Sequence, residues 1–306
     1  MSMDNTSANT QLPKTRGKLT ADAPLAPLVW FKSGGPAQWL FEPKDISDLQ
    51  NFLANLPAVI DVWPLGLGSN LIIRDGGKRG VAIRLGKAFS AIVMHSEDPE
   101  MIVCGAGAPG ISAASFARDN ALAGTEFLRG IPGTVGGAVR MNAGAYGREM
   151  CDILVSADVV KRDGSLETYS LDDMQYSYRH SGLPEDAVVV SATLRGTPGD
   201  KDVIAAEMKR IADEREASQP LRSRTGGSTF KNPDGHKAWQ LIDEAGCRGL
   251  KMGQAQVSEK HCNFLLNLGG ATSDEIEALG NEVRRRVKEH SGVDLEWEIQ
   301  RVGEKP

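Results

Sequence analysis

The chain has only four cysteines among its 306 residues, and no two of them are spaced as Cys-x-x-Cys. This scarcity excludes a disulfide scaffold. No metal-ligand cluster surrounds the cysteines either, so we expect free thiols in a reducing compartment and no metal site. The four residues are Cys104, Cys151, Cys247 and Cys262.

The chain also lacks an excess of positive charge, because it has 35 lysines and arginines against 40 aspartates and glutamates, and its net charge is −5. A general nucleic-acid binder should be basic, so this class is disfavoured. The chain has no apolar run approaching the ~20 residues that span a bilayer, and its N-terminus lacks the apolar segment of a signal peptide. We therefore expect a cytoplasmic protein that binds neither membranes nor nucleic acid, and we infer no obligatory protein partner.

Glycine, by contrast, is abundant, with 34 residues in 306, roughly 11% against a usual share of about 7%. Glycine is favoured where the backbone has a positive φ or approaches a ligand closely. The chain length suggests about two domains. We expect a disordered tail over residues 1–20, a Gly-rich α+β region over residues 21–198 and a second domain over residues 199–306.

Hydrophobic periodicity and capping signals predict most of the secondary structure. Asp45 is expected to cap a helix, and Thr272 with Glu275 predicts a capping box. The predicted helices cover residues 45–56, 111–121, 201–217 and 273–290. The predicted strands cover residues 58–63, 81–85, 101–104 and 187–194, with a hairpin in residues 153–171 that turns at Asp163-Gly164.

Two of the glycine-rich segments suggest a binding role. In residues 65–73, Gly66, Gly68, Ser69 and Asn70 form a predicted turn whose N–H groups and polar side chains suit a phosphate oxygen. Residues 130–147 combine many glycines with other small residues. That composition suits neither helix nor strand, but it lets the main chain lie against a large flat ligand. A close-packed loop between subdomains is the alternative interpretation.

A third segment, Gly-Ala-Gly-Ala-Pro-Gly over residues 105–110, matches the dinucleotide-binding pattern G-x-G-x-x-G. Two features count against a Rossmann site. Glu126 lies near the expected acidic position, but no β-type run leads into it, and Pro109 removes one backbone donor. We therefore do not predict an NAD site here.

Five motifs occur in order along the chain: GLGSNL, EFLRGIPGTVGGAVRMNAGAYG, YSYRHS, GGSTFKNP and LEWEIQRVG. Together they resemble the UDP-N-acetylenolpyruvoylglucosamine reductase family, flavoenzymes of peptidoglycan precursor synthesis, over nearly the whole chain. The resemblance implies a vanillyl-alcohol-oxidase-like FAD-binding region of two subdomains, followed by a C-terminal α+β substrate domain. Since no tyrosine follows Tyr178, the chain resembles the class that lacks a tyrosine-bearing loop over the substrate.

The family's FAD cradle maps onto three glycine-containing segments of this chain, and the resemblance makes residues 105–110 part of the same flavin domain. The implied cofactor-binding residues are Ser33, Gly34, Gly35, Gly66, Gly68, Ser69, Asn70, Leu71, Gly130, Ile131, Pro132, Gly133, Thr134, Gly136, Gly137, Asn142 and Gly144.

The implied reaction reduces an enolpyruvyl ether to a lactyl ether, with FAD as cofactor, NADPH as co-substrate and a UDP-sugar as substrate. Arg179 suits a carboxylate that gains charge, because a guanidinium can donate two parallel hydrogen bonds to it. The family pattern makes Ser228 the proton donor and Glu298 a second acid. The alternatives are the adjacent hydroxyl of Thr229, and Glu296, which strand alternation places on the same face as Glu298.

Three of the substrate-binding candidates lie in these motifs, and two lie in the separate segment 259–264: Tyr178, Lys231 and Asn232, and His261 and Asn263. The histidine is a weak candidate, because a lone histidine is more often structural. Two other functions are open, namely another flavoprotein oxidoreductase of the same superfamily and a flavin- or nucleotide-binding protein without turnover. The complete polar trio in its motifs argues against both.

Overall fold

The computed structural model describes residues 12–306, which contain six α-helices. Asp45 caps the first by accepting a hydrogen bond from the Asp48 N–H, and Thr272 and Glu275 form the capping box of the last, as predicted. None of these helices is long and apolar enough to cross a membrane. They are α1 (Ile46–Asn55), α2 (Gly110–Asp119), α3 (Val135–Arg140), α4 (Lys201–Ser218), α5 (Ala238–Glu244) and α6 (Ser273–Ser291).

The strands are short, and their mixture with helices confirms the α+β class. Those before residue 125 are β1 (Lys18–Pro24), β2 (Pro36–Glu42), β3 (Val62–Leu65), β4 (Leu71–Ile73), β5 (Lys78–Arg84), β6 (Ile92–Met94), β7 (Met101–Gly105) and β8 (Leu122–Ala123). Those after it are β9 (Gly144–Ala145), β10 (Arg148–Glu149), β11 (Leu154–Val160), β12 (Leu166–Ser170), β13 (Val188–Arg195), β14 (Thr197–Pro198), β15 (Lys251–Met252), β16 (Ala255–Val257), β17 (Leu265–Asn267) and β18 (Gln300–Val302).

A four-stranded sheet in the order β1-β2-β5-β3 forms the first lobe. Helix α1 packs on it through Leu49, Phe52 and Leu53, which are buried. The strand predicted over residues 58–63 starts only at Val62. The Arg162 guanidinium donates hydrogen bonds to the carbonyls that end α1 and to those of the following turn, so the chain turns there before it extends.

The chain entering β1 is held by a buried carboxylate. Asp48 accepts hydrogen bonds from the N–H groups of Arg16 and Gly17, and β1 pairs with β2 from Lys18 onward. The expected start of structure near residue 21 therefore falls inside a strand. Residues 1–11 of the predicted tail lie outside the described residues.

A five-stranded antiparallel sheet in the order β12-β11-β13-β7-β6 forms the second lobe, on which α2 and α3 pack. Strands β11 and β12 are the predicted hairpin. Strand β7, which leads into residues 105–110, is antiparallel to both of its neighbours. The Gly-Ala-Gly-Ala-Pro-Gly segment is thus not in a parallel βαβ unit, in agreement with the argument against a Rossmann site.

The C-terminal part packs α5 and α6 on the three-stranded sheet β15-β16-β17. The predicted apolar stripe of α6 is confirmed, because Ile276, Leu279, Val283 and Val287 are completely buried. Ile72 of β4 belongs to the same core. The C-terminal core is therefore continuous with the N-terminal half of the chain.

Helix α4 packs on the second lobe. Ile204 and Met208 are buried among the residues of that lobe, and Ile211 completes the predicted apolar face. The division of the chain at residue 199 stays a prediction, and the packing associates α4 with the lobe that precedes it.

Polar and backbone contacts at β4 and the residues after it help to join the C-terminal part to the N-terminal half of the chain. Strand β18 pairs in parallel with β4. Asp75 accepts hydrogen bonds from the N–H groups of Ser273 and Asp274 and so caps the start of α6. Glu277 of α6 is 4% exposed and accepts two hydrogen bonds from Arg74, at 2.9 and 3.0 Å.

Replacing Glu277 with glutamine should lower the free energy of unfolding by about 2 kcal/mol, because it removes charge-assisted hydrogen bonds from a pair in which Glu277 is buried and Arg74 is partly exposed. The hydrogen bonds from Arg74 hold the pKa of Glu277 below its usual value. Ionised Glu277 therefore stabilises the fold above the ordinary glutamate pKa, and this contribution is lost as the pH falls through the lowered pKa. Urea unfolding at several pH values measures the difference between the two proteins, which should shrink on acidification.

The control for this measurement is Glu289→Gln, which removes an exposed carboxylate from the same helix. An equal destabilisation by both substitutions would contradict the role assigned to the pair of Arg74 and Glu277.

Candidate active site

One large cavity, of about 280 Å³, is walled by segments from both halves of the chain, and we call it the cleft. Its walls are the turn over residues 66–71, the segment 130–145, Arg179, and the C-terminal segments near residues 228 and 298. The predicted site residues that line it are Gly66, Gly68, Ser69, Asn70, Leu71, Gly130, Ile131, Pro132, Gly133, Thr134, Gly137, Gly144, Arg179, Ser228 and Glu298.

The first wall of the cleft is the turn over residues 66–71, in which Gly68 has a φ of +62°. The Ser69 hydroxyl donates a 3.0 Å hydrogen bond to the Pro132 carbonyl. The Asn70 amide donates one of 3.1 Å to the Glu298 carbonyl. Both polar side chains predicted to suit a phosphate oxygen therefore donate a hydrogen bond to protein backbone, and their role as cofactor ligands stays a prediction.

The second wall is the glycine-rich segment, which folds onto residues 105–110. Thr134 caps α3 by accepting a hydrogen bond from the Gly137 N–H. The N–H groups of Val135 and Gly136 donate to the carbonyls of residues 108 and 106. A Cβ on Gly136 would lie 2.8 Å from that of Ala106, so close packing requires glycine there.

A second cavity of about 70 Å³ continues along this wall. It shares Gly66, Thr134 and Gly137 with the cleft, and it adds the predicted cofactor residue Gly136 and Gly107 of the 105–110 segment. The two cavities together make an elongated space along a face that is built largely of backbone.

Arg179 faces the cleft from a strained backbone position, with a φ of +58°. Its Nε donates a 2.8 Å hydrogen bond to Glu298 Oε1, and its Nη2 donates one of 2.7 Å to the Gly144 carbonyl. Its Nη1 is buried, and nothing in residues 12–306 accepts a hydrogen bond from it. A buried guanidinium N–H without an acceptor suits an anionic group of a ligand.

Glu298 and Glu296 are separated by the structure, contrary to the expectation that they share a strand face. Residues 295–299 are irregular, and β18 begins only at Gln300. Glu298 lines the cleft with 17% of its side chain exposed, whereas Glu296 is 75% exposed beside Lys231. Burial raises the pKa of Glu298, and the positive charge of Arg179 opposes this rise.

Ser228 and Thr229, the two hydroxyl residues left open by the sequence, also differ in their position relative to the cleft. Ser228 lines the cleft directly after Gly227, whose φ is +82°. Thr229 is completely buried and does not belong to the cleft wall. Its backbone binds on both sides, since the Thr229 N–H donates to the Asn263 carbonyl and its carbonyl accepts from the Glu298 N–H.

Several predicted substrate ligands lie outside the cleft wall. The Lys231 ammonium is 3.2 Å from Glu296 Oε2. The Asn232 side chain accepts a hydrogen bond from the Ala238 N–H at the start of α5. Tyr178 is exposed, with its ring 5.0 Å from the Arg179 guanidinium carbon.

His261 and Asn263 are also engaged within the protein. The Asn263 amide both accepts from the Phe230 N–H and donates to the Phe230 carbonyl, at 2.9 and 2.8 Å. The His261 ring packs edge-on to Trp239 and Phe264, and burial lowers its pKa. Both residues therefore hold the fold around Ser228, and neither faces the cleft.

Besides Gly136, which lines only the second cavity, four predicted cofactor residues lie outside the cleft wall for similar reasons. Ser33 accepts a hydrogen bond from the Ser273 hydroxyl. Gly34 and Gly35 lie against the backbone of β4 and of the chain that follows it. Asn142 is buried, and its amide binds the Glu149 carboxylate and the Cys151 N–H.

The cleft also contains cations that sequence reasoning missed. Arg140 lines both cavities and donates to the carbonyls of Pro184 and Ala187. Arg215 lines the cleft from the last turn of α4 and binds Gln219. Burial lowers the pKa of both guanidinium groups. Their positions were visible in a glycine motif and a predicted helix, but nothing there separated them from solvated arginines.

Comparison with known proteins decides the family. A model described as the FAD binding domain matches residues 37–170, and one described as the C-terminal domain of UDP-N-acetylenolpyruvoylglucosamine reductase matches residues 219–302. The UDP-N-acetylenolpyruvoylglucosamine reductase of Sphingopyxis alaskensis is 66% identical over 297 residues, which are 97% of this chain and 99% of that protein. The chain belongs to the UDP-N-acetylenolpyruvoylglucosamine reductase family.

Other members of this reductase family agree. The reductase of Erythrobacter litoralis is 65% identical over 288 residues, 94% of this chain and 88% of that protein. The crystal structure of the reductase from Thermus caldophilus has a TM-score of 0.80 at 33% identity, and the match covers 95% of this chain and 100% of that one. The family resemblance predicted from the five motifs is confirmed.

The cleft fits the FAD that a domain of this kind binds. A Cβ on Gly133 would have the Ser69 hydroxyl at 3.4 Å as its nearest neighbour, and one on Gly137 would have the Thr134 hydroxyl at 3.5 Å. The space beside these backbone atoms is therefore open to a ligand. The buried Nη1 of Arg179 supplies a donor in the same cavity.

Gly137→Ala should leave the fold intact and stabilise α3 by about 1 kcal/mol, because alanine favours helices over glycine. It should nevertheless weaken FAD binding by at least about tenfold, the equivalent of roughly 1.4 kcal/mol, because the methyl group enters the cleft. Thermal unfolding of the protein without cofactor and titration with FAD separate the two effects.

Gly136→Ala is the contrasting variant, since its methyl group would meet Ala106 and should lower the melting temperature. Unchanged FAD affinity in Gly137→Ala would rule out a cofactor against this part of the wall.

Proposed function

We propose that the protein reduces UDP-N-acetylglucosamine enolpyruvate to UDP-N-acetylmuramate, with NADPH as electron source and FAD as cofactor, in peptidoglycan precursor synthesis. One observation carries the proposal: Arg179, Ser228 and Glu298, from separate elements, converge on one glycine-walled cleft. The small molecules named are the only partners that this activity needs, and the cytoplasm is the proposed location.

Arg179 is proposed to bind the carboxylate of the enolpyruvyl group. Its Nε and Nη2 are already bonded to Glu298 and to the Gly144 carbonyl, which leaves the buried Nη1 to donate to a ligand. Reduction of the adjacent double bond spreads negative charge into that carboxylate. A fixed cation stabilises the charged transition state more than the ground state, and this difference lowers the barrier.

Ser228 is proposed to deliver the proton to the carbon beside the carboxylate. A serine hydroxyl is a weak acid, so it donates only to a strongly basic centre such as a developing carbanion. Ser228 faces the cleft, while the hydroxyl of Thr229 is buried outside it. This geometry favours Ser228 over the alternative that the sequence left open.

Glu298 is proposed to donate a hydrogen bond or proton to the carboxylate oxygen that gains charge. This role requires the protonated acid. Burial raises the pKa of Glu298, against the opposing charge of Arg179, and a higher pKa keeps more of the carboxyl protonated at a given pH.

Bound FAD would supply the two-electron chemistry, accepting hydride from NADPH and passing it to the double bond of the substrate. The backbone of residues 66–71 and 130–144 would hold it. Arg140 and Arg215 are the buried cations available to its phosphates or to those of the UDP-sugar.

The absorption spectrum of the purified protein tests the function. We expect flavin absorbance that bleaches on adding NADPH under anaerobic conditions and returns on adding the UDP-linked enolpyruvyl sugar. A flavoprotein of another activity would bleach without recovering on this substrate. Protein that takes up no FAD would contradict every flavin-dependent function.

Ser228→Ala should leave bleaching by NADPH near normal and slow the recovery with substrate by at least about a hundredfold, since general acid catalysis contributes about 10²–10⁴-fold. Stopped-flow absorbance measures the two half-reactions separately. Thr229→Val is the matched control, because the buried Thr229 hydroxyl has no hydrogen-bond partner in residues 12–306, and it should affect neither. Equal losses in both half-reactions of Ser228→Ala would remove the proton-donor role.

A further inference from the structure

Glu298 lies in a segment without regular secondary structure, yet both its backbone N–H and its backbone carbonyl form hydrogen bonds. Its N–H donates a 2.9 Å hydrogen bond to the carbonyl of Thr229, the residue after Ser228. Its carbonyl accepts a 3.1 Å hydrogen bond from the Asn70 side chain. The Asn70 carbonyl in turn accepts from the Gln300 N–H at 3.1 Å.

These hydrogen bonds form one network from Ser228, the proposed proton donor, to the turn over residues 66–71. Ser228 is linked to Glu298 through the backbone carbonyl of the next residue, Thr229. Glu298 is linked to the turn over residues 66–71 through the Asn70 side chain. Asn70 and Glu298 are 228 residues apart in sequence. The side-chain amide of Asn70 therefore links the turn over residues 66–71 directly to the backbone of Glu298.

We propose that Asn70 is a positioning residue for Glu298, which fixes the direction of the acid relative to the cleft and does not act mainly as a ligand of the cofactor. The expected effects on flavin recovery rest on the proposed function, whereas the expected effect on hydrogen exchange does not. The donor end of the Asn70 amide is already committed to a backbone carbonyl. The peptide groups before and after Glu298 are thus each held by a hydrogen bond, which restricts the backbone dihedral angles of this residue. The Glu298 side chain therefore keeps its place beside Arg179.

The decisive experiment is a double-mutant cycle on the half-reaction with substrate. Asn70→Ala should slow the recovery of flavin absorbance about tenfold, because a displaced Glu298 carboxyl stabilises the transition state less, by roughly 1.4 kcal/mol. Bleaching by NADPH should stay near normal. In the Glu298→Gln background, Asn70→Ala should have no further effect, because the group it positions is gone. The same tenfold loss in both backgrounds would overturn the proposal.

Ser69→Ala is the matched control, because Ser69 belongs to the same turn but binds the Pro132 carbonyl. Its effect, of whatever size, should be the same with and without Glu298→Gln. Non-additivity as large for Ser69 as for Asn70 would mean that the whole turn, and not Asn70, positions the acid.

The pH profile gives a second readout, since recovery requires protonated Glu298 and therefore falls as the pH rises through its pKa. In Asn70→Ala the acid is freed from its buried position, so this fall should move to lower pH. Arg179 and Lys231 are the charged groups acting on Glu298, and both favour the ionised form. An unchanged profile would count against the proposal.

Amide hydrogen exchange tests the same contact without turnover. Residues 295–302 should exchange faster in Asn70→Ala than in the parent protein, with α6 unchanged as internal reference. If the parent shows no recovery with the enolpyruvyl sugar, the proposed function has failed, and this exchange experiment still decides the structural part. Unaltered exchange over residues 295–302 would overturn it.

Discussion

The parallel pairing of β18 with β4 is the contact on which the active site depends. The cradle is built from the N-terminal half of the chain, while Ser228 and Glu298 come from the C-terminal half. Neither half holds a complete set of groups. The strand pairing is supported by the ion pair of Arg74 and Glu277 and by the Asp75 cap of α6. These contacts lie close to β4 and so hold the two halves where the cleft needs them.

Burial and a neighbouring charge act in opposite directions on the ionisation of Glu298 in the cleft. Burial raises the pKa of Glu298 and so favours the neutral acid, while the neighbouring Arg179 favours the ionised form. A carboxyl placed between these effects can exchange a proton when a second anion arrives, because the substrate carboxylate would compete for the same guanidinium.

Local rules predicted the helix caps at Asp45 and Thr272, because a cap depends on a few neighbouring residues. The family motifs brought Arg179, Ser228 and Glu298 together, and the structure places all three on the cleft. The same motifs could not tell whether an asparagine faces a ligand or its own backbone. Asn232 occurs in a family motif and Asn263 in the separate segment 259–264, yet the amides of both bind main-chain groups. That distinction depends on contacts between distant segments, as does the cleft position of Arg215.

The separation of 228 residues between Asn70 and Glu298 has a consequence for the order of events during synthesis. A ribosome makes the cradle long before it makes the acid that completes the site. Contacts between such distant segments form slowly, since a large loop must close first. A nascent chain therefore contains the residues of the N-terminal cleft wall for a period in which Glu298, the acid in our proposal, has not yet been added.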